Sequence, residues 1–329
     1  MPDAKHVRAI GSEGGIFTWN WAFWTESGAP RARSQERRKR ADIESVFALT
    51  LAFSASVAWG SADFLAGLGC RRLALLTVLL VSQAIGLALL IPVMVASAEP
   101  MPAGHFVLMG VLAGAFNAGA LAAFYRGLAG GTMSIVAPIA ATDAVIPVAY
   151  GLVTGERPAT LTMFGIALAL IGVVLASRPV DHHEDEPRTK RDSPAKGVAL
   201  ALAAAVCFGV FTIALAEASK GGTLWAVTFS RLMSLSLLSI TALALRADLS
   251  VQREDAAPLV AIGGLDVGAN ALFAIALSAG LLSVVGVLGS FYPVVTILLA
   301  GVVLRERLGP LQRVGAASAL AGAAVMAIG

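Results

Sequence analysis

Apolar runs of about twenty residues, separated by short polar or charged breaks, set the pattern of this chain. Each is long enough for a helix to cross a hydrocarbon core of roughly 30 Å. Ten such runs are found: approximately Val46 to Leu68, Leu73 to Ser97, Phe106 to Leu128, Met133 to Val153, Leu161 to Ser177, Gly197 to Ala218, Thr223 to Leu245, Ala257 to Ala279, Leu281 to Leu304, and Leu311 to Ile328. The widest break, RPVDHHEDEPRTKRDSPAK from Arg178 to Lys196, is charged and carries prolines, the composition of a solvated linker. It divides the runs five and five. The pattern predicts an all-α integral membrane protein of ten transmembrane helices.

Composition agrees. Charged residues are 14% and apolar residues 57%, whereas a soluble domain carries roughly a quarter charged residues. Lipid is therefore the expected solvent. The net charge of +3 comes largely from termini and loops and gives no support to nucleic-acid binding. Cys70 and Cys207 lie inside or at the edge of apolar runs and read as small packing residues. His182 and His183, beside Glu184, Asp185 and Glu186, sit in the linker without the fixed geometry of a metal site. Neither a metal nor a cofactor is expected. Residues 1–45 fit no targeting pattern, the aromatic cluster Phe17, Trp19, Trp21, Phe23 and Trp24 being too short for a signal core. With the basic run RARSQERRKR behind it, this extension is expected to be disordered, or to result from a start codon placed too far upstream; an interfacial anchor is the alternative.

Sliding the second half back by about 150 residues reveals an internal repeat. Gly114 falls on Gly264, Ala129 and Gly130 on Ala279 and Gly280, Glu156 and Arg157 on Glu306 and Arg307, Gly165 on Gly315, and Gly172 on Gly322. With a one-residue adjustment Gly60 falls on Gly209. Units of five helices, an odd number, must lie in opposite orientations, which is the inverted-repeat plan of many secondary transporters. The expected repeats are 46–177 and 197–329, with 178–196 between them.

The segments AWGSADFLAG (58–67), VAPIAATDAVIPVAYGLVTGERP (136–158) and VLGSFYPVVTILLAGVVLRERLG (287–309) resemble the EamA family of the drug/metabolite transporter superfamily. The resemblance rests on a Trp-Gly in the first run, prolines in the fourth and ninth, and Glu-Arg after each of those. It implies ten helices, both termini cytoplasmic at the plasma membrane, and transport of small metabolites, often as efflux. Asp143 stands where the repeat of Pro293 falls, with Pro138 and Pro147 nearby, so the fourth helix is expected to kink differently from the ninth. The basic amino-terminal run favours a cytoplasmic N-terminus. Arg71, Arg72, the linker, Arg246, Arg253, Arg305, Arg307 and Arg313 would then lie on the opposite side.

Polar residues inside apolar runs are the default candidates for a transport path, because a charge at bilayer depth is costly. Asp266 and Asn270 lie one turn apart on one helix face, as do Trp59 and Asp63. Arg231, Asp143, Gln83, Asn117, Ser290 and Tyr292 complete the candidate path. These residues either line a cavity, where Arg would hold an anionic group and Asp a cation or a coupled proton, or neutralise one another across helix interfaces. Tyr125 and Arg126 read as an interfacial anchor. Glu156, Arg157, Glu306 and Arg307 form a loop motif, expected to tie each loop to a helix end or to gate.

Three function classes compete. A carrier of small molecules needs the repeat and the polar path. ATP-driven transport would need a nucleotide-binding signature that is missing here. A membrane enzyme would need a dense catalytic set within the runs. A non-transporting scaffold or sensor would be expected to carry a solvent-exposed partner domain. The first is expected, with a small molecule and the bilayer as partners, protons as candidate coupling ions, and a monomer or homodimer as the working unit.

Overall fold

A computed structural model describes residues 29–130, 139–178, 194–305 and 308–328. The chain divides into a short unit, 1–43, and a main unit, 44–329. Every regular element among the described residues is a helix: α1 (Ala29–Gly69), α2 (Leu75–Ser97), α3 (Gly104–Gly130), α4 (Val145–Val153), α5 (Thr160–Ala176), α6 (Pro194–Ser219), α7 (Thr223–Leu245), α8 (Arg253–Ala279), α9 (Leu282–Gly289), α10 (Tyr292–Val303) and α11 (Pro310–Ile328). Among the described residues eight helical segments are long and apolar enough to cross a bilayer, and Thr160–Ala176 is a shorter apolar helix. Helix α1 starts at Ala29, so the extension expected to be disordered is helical over 29–45. Its Arg, Lys, Glu, Gln and Ala residues are good helix formers even without an apolar face. Residues 1–28, His182, His183 and most of the linker lie outside the described residues.

Small residues set how closely the helices approach. A Cβ on Gly165 would lie 2.9 Å from the Gly322 carbonyl oxygen, and one on Gly322 would lie 2.7 Å from that of Gly165. Gly172 and Gly315 face each other in the same reciprocal way, each 2.7 Å from the other's carbonyl oxygen. Helices α5 and α11 thus pack backbone to backbone at repeat-related glycines, an approach no larger residue allows.

The same reciprocity extends through the main unit and refines the repeat. Gly114 of α3 lies against the Ser230 carbonyl and Met233 of α7, while Gly263 of α8 lies against the Ser82 carbonyl and Ile85 of α2. Gly114 therefore corresponds to Gly263, not to its neighbour Gly264, and Ser82 to Ser230. Gly60 of α1 meets the Tyr292 carbonyl and Val295 of α10, while Gly209 of α6 meets the Asp143 carbonyl and Ile146. Asp143 therefore corresponds to Tyr292, one residue from the Pro293 that a fixed spacing suggests. The register drifts by one or two residues because the connections between helices differ in length.

Two of the apolar runs are broken. Between α9 and α10 the chain turns at Ser290 and Phe291, whose N–H groups bond back three residues to Val287 and Leu288. Before α4 the turn is longer, residues 141–144, with bonds from Thr142 to Ile139 and from Asp143 to Ala140. Both breaks have one cause. Pro293 has no N–H for the carbonyl of Gly289, and Pro147 none for that of Asp143. The expected difference in kinking is thus a difference in turn length, and Pro138 lies outside the described residues.

Candidate functional site

One stripe of α1, Ala52, Ser56, Trp59 and Asp63, follows helical spacing of four, three and four residues. Ala52 and Ser56 are fully buried, so the stripe points into the protein. Ser56 closes the ninth-run break: its hydroxyl donates to the Gly289 carbonyl at 2.9 Å and to the Leu288 carbonyl. It thereby supplies a donor that Pro293 cannot. From the other side, the Thr296 hydroxyl donates to the Gly60 carbonyl at 3.0 Å, fixing α10 on α1.

Further along the stripe α1 faces α8. Ala48 lies against Gly280, and the Trp59 ring meets Phe273 edge-on, with centroids 5.0 Å apart and planes at 63°. The two helices run antiparallel in this register, which brings Asp63 to the level of Asp266 and Asn270. Asp63 is close enough to Asp266 for their charges to act on each other. Its side chain is exposed.

On α8 the carboxylate of Asp266 accepts a hydrogen bond from Nη1 of Arg231 on α7, at 2.5 Å. The Arg231 side chain is 4% exposed and that of Asp266 28%. Asn270, one turn on, donates from Nδ2 to the Asp266 carbonyl at 2.7 Å and approaches its carboxylate at 3.4 Å. Of the two expectations for these residues, mutual neutralisation describes Arg231 and Asp266. Nη2 of Arg231, Oγ of Ser234 and Oε1 of Gln83 are buried and have no hydrogen-bond partner among the described residues.

Because Ser82 corresponds to Ser230 and Gly114 to Gly263, Gln83 corresponds to Arg231 and Asn117 to Asp266. The ion pair of the second repeat is represented in the first by two neutral amides. Asp143 sits at the other broken run, nearly buried, and accepts the N–H of Ala144 at 2.8 Å. Ser290 is buried and donates to the Val287 carbonyl, and Tyr292 is half-buried at the start of α10. Trp59, Asp63, Arg231, Asp266 and Asn270 therefore gather at one place; Asp143, Ser290 and Tyr292 belong to the two breaks. Arg126 is exposed, and the Tyr125 side chain lies outside the described residues.

The loop motif ties loop to helix end, at long range. Glu156 accepts the N–H of Leu282 through Oε1 at 2.6 Å and that of Ser283 through Oε2 at 3.0 Å. Its carboxylate caps the positive end of the half-helix α9. Arg157 bonds locally, donating to the carbonyls of Leu152 at the end of α4 and of Glu156. Glu306 and Arg307 lie outside the described residues. Sequence reasoning missed Ser56 and Phe273: a serine in an apolar run reads as packing, although Phe273 shares the helical stripe of Asp266 and Asn270.

A cavity of about 350 Å³ lies between α2, α3 and α7, lined by Leu79, Ala118, Leu121, Leu238 and other apolar side chains, with Thr241 at its edge. None of the clustered polar residues lines it, so we place the candidate site at the polar cluster, where the chemistry is.

Comparison with curated proteins finds no match. Among solved structures, a protein crystal structure superposes with a TM-score of 0.70 at 19% identity, over 85% of this chain and 96% of the other. That likeness concerns the fold. The profile of the EamA-like transporter family matches residues 46–178 and again 195–328. The polar cluster lies between helices of these two matched stretches, and this multi-pass membrane protein belongs to the EamA-like transporter family.

Proposed function

We propose that the chain is a secondary carrier of small molecules, working by alternating access between two inverted five-helix repeats, 46–177 and 197–329, joined by the linker 178–196. In this reading ten helices cross the plasma membrane. The eight long apolar segments, the helix Thr160–Ala176 and the broken fourth run make up the ten. Both termini are cytoplasmic, and protons are the coupling ions.

The observation that carries the reading is the placement of an accessible carboxylate, Asp63 of the first repeat, against Asp266 and its partner Arg231 in the second. Charges at bilayer depth persist where they serve a path. Here they meet where one repeat faces the other, beside a discontinuous helix, the usual surroundings of a transporter site. Close glycine contacts such as Gly60 on Val295 bring the repeats together backbone to side chain.

The test is transport by purified protein in liposomes, using a panel of amino acids, nucleosides, sugars and organic cations, with and without a pH gradient. We expect at least one compound to move, and to move faster with the gradient. If no compound moves while the protein remains folded in the liposomes, a non-transporting scaffold or sensor replaces the carrier.

A further inference from the structure

Resting on the carrier reading, we propose that the site takes a monovalent organic cation, its ammonium group held by Asp63 over the face of Trp59. Three observations converge on this class.

The first is which charges a substrate can reach. Among the described residues, Arg231 is the single cation of the cluster, and its side chain is 4% exposed. Its Nη1 is taken by Asp266, and its Nη2 is buried. An anionic group at this cluster therefore has no accessible cation to meet. Asp63 is exposed and the Asp266 side chain is 28% exposed, so the reachable charge is negative. With Asp266 neutralised by Arg231, one carboxylate remains uncompensated. That count matches one positive charge and disfavours both a dication and a zwitterion, whose carboxylate would face Asp63 unpaired.

The second is the aromatic wall. Trp59 stands one helical turn before Asp63 on the same stripe, half-buried, with Phe273 meeting it at 63°. Indole is the strongest aromatic partner for a cation, and such a corner suits alkylated ammonium groups, which have weak hydration to lose. A carboxylate one turn above adds the Coulomb attraction that a solvated cation needs on entering a site of low dielectric.

The third is the asymmetry between the repeats. The positions matching Arg231 and Asp266 carry Gln83 and Asn117, and the position matching Asp63 carries Thr212. At these matched positions the uncompensated carboxylate stands on one side only, giving the substrate charge one anchoring point in the cluster.

The experiment is equilibrium binding of radiolabelled phenyltrimethylammonium to the purified full-length protein in detergent, with benzyl alcohol and benzenesulfonate as neutral and anionic competitors. We expect saturable binding that neither competitor displaces. Asp63→Asn should weaken it at least about tenfold and Asp63→Glu should restore most of it, while Trp59→Leu weakens it and Trp59→Phe does so less. Each variant is checked for native-like elution and melting, so that loss of fold is separated from loss of the site. Binding of benzenesulfonate in preference to the cation overturns the proposal, as does cation binding that Asp63→Asn leaves unchanged. Liposome transport of a sugar or amino acid without cation binding overturns it while leaving the carrier intact. Cation binding without transport of any compound keeps the site and removes the carrier.

Discussion

Exchanging the ion pair of one repeat for the amide pair of the other isolates what the charges contribute. Asp266→Asn strips the counter-charge from an arginine whose side chain is 4% exposed, whereas Arg231→Gln leaves a carboxylate that is 28% exposed. The two single substitutions should therefore be unequal. Removing one partner of a buried pair destabilises by about 3–5 kcal/mol. Because Asp266 is partly accessible, we expect about 3 kcal/mol for Asp266→Asn. Arg231→Gln should lose about 1.5 kcal/mol, since the remaining carboxylate can be hydrated or protonated. The double variant carries the residue types of Gln83 and Asn117 at the matching positions and has no charge to desolvate, so it should also lose only about 1.5 kcal/mol. The coupling is then about 3 kcal/mol, of the order of the ~4 kcal/mol Coulomb attraction between unit charges about 4 Å apart at an effective dielectric of 20. The assay is reversible unfolding in bicelles, followed by tryptophan fluorescence, for the parent chain and the three variants. A coupling below about 0.5 kcal/mol would show two independently solvated groups and refute the neutralised pair on which the charge reading of the site depends.

Glu156→Ala removes both acceptors from the start of α9, and loss of such a cap should destabilise by about 1–2 kcal/mol. Hydrogen exchange at Leu282 and Ser283 should accelerate, and unchanged protection would show that the carboxylate does not cap them. Ser56→Ala leaves the Gly289 carbonyl buried without its hydroxyl donor, at an expected loss of about 1–3 kcal/mol in the same unfolding assay; no change would mean another donor serves that carbonyl. Gly60→Ala and Gly209→Ala place a Cβ 2.5 Å from Val295 Cβ and Ile146 Cβ, so each should lower stability by about 1–3 kcal/mol. Gly67→Ala, which meets nothing within 4 Å, should be neutral or stabilising by up to about 1 kcal/mol; equal losses at all three positions would contradict the close packing at Gly60 and Gly209.

Much of the architecture is written in single-residue periodicity. Runs the length of a bilayer, a charged break between residues 178 and 196, and glycines repeating at about 150 residues are all local or nearly local signals. What escaped was register. Gly264 matches Gly114 at a constant spacing, yet the backbone contacts select Gly263, because a one-residue change in a connection shifts everything after it. The site was legible as a set of residue types and not as a set of partners. Arg231 and Asp266 are 35 residues apart on adjoining antiparallel helices, and sequence alone allows them to face each other or a substrate equally well. Glu156 carries no mark of its partners 126 and 127 residues away, since they are backbone N–H groups that any sequence supplies. Asp63 needed the opposite kind of information, namely that its side chain is exposed beside Asp266 of the other repeat.

The pairing of Gln83 with Arg231 and Asn117 with Asp266 also bears on the timing of the transport cycle. In a carrier made of two interchangeable halves, the two access states would be mirror images and equally populated at rest. Two amides in one half and an ion pair in the other break that equivalence. In a carrier whose alternate openings hydrate first one repeat and then the other, the ion pair would recover far more solvation than the two amides. On the proposed carrier reading, the empty protein would then have a preferred side on which to wait, set by which half holds the ion pair.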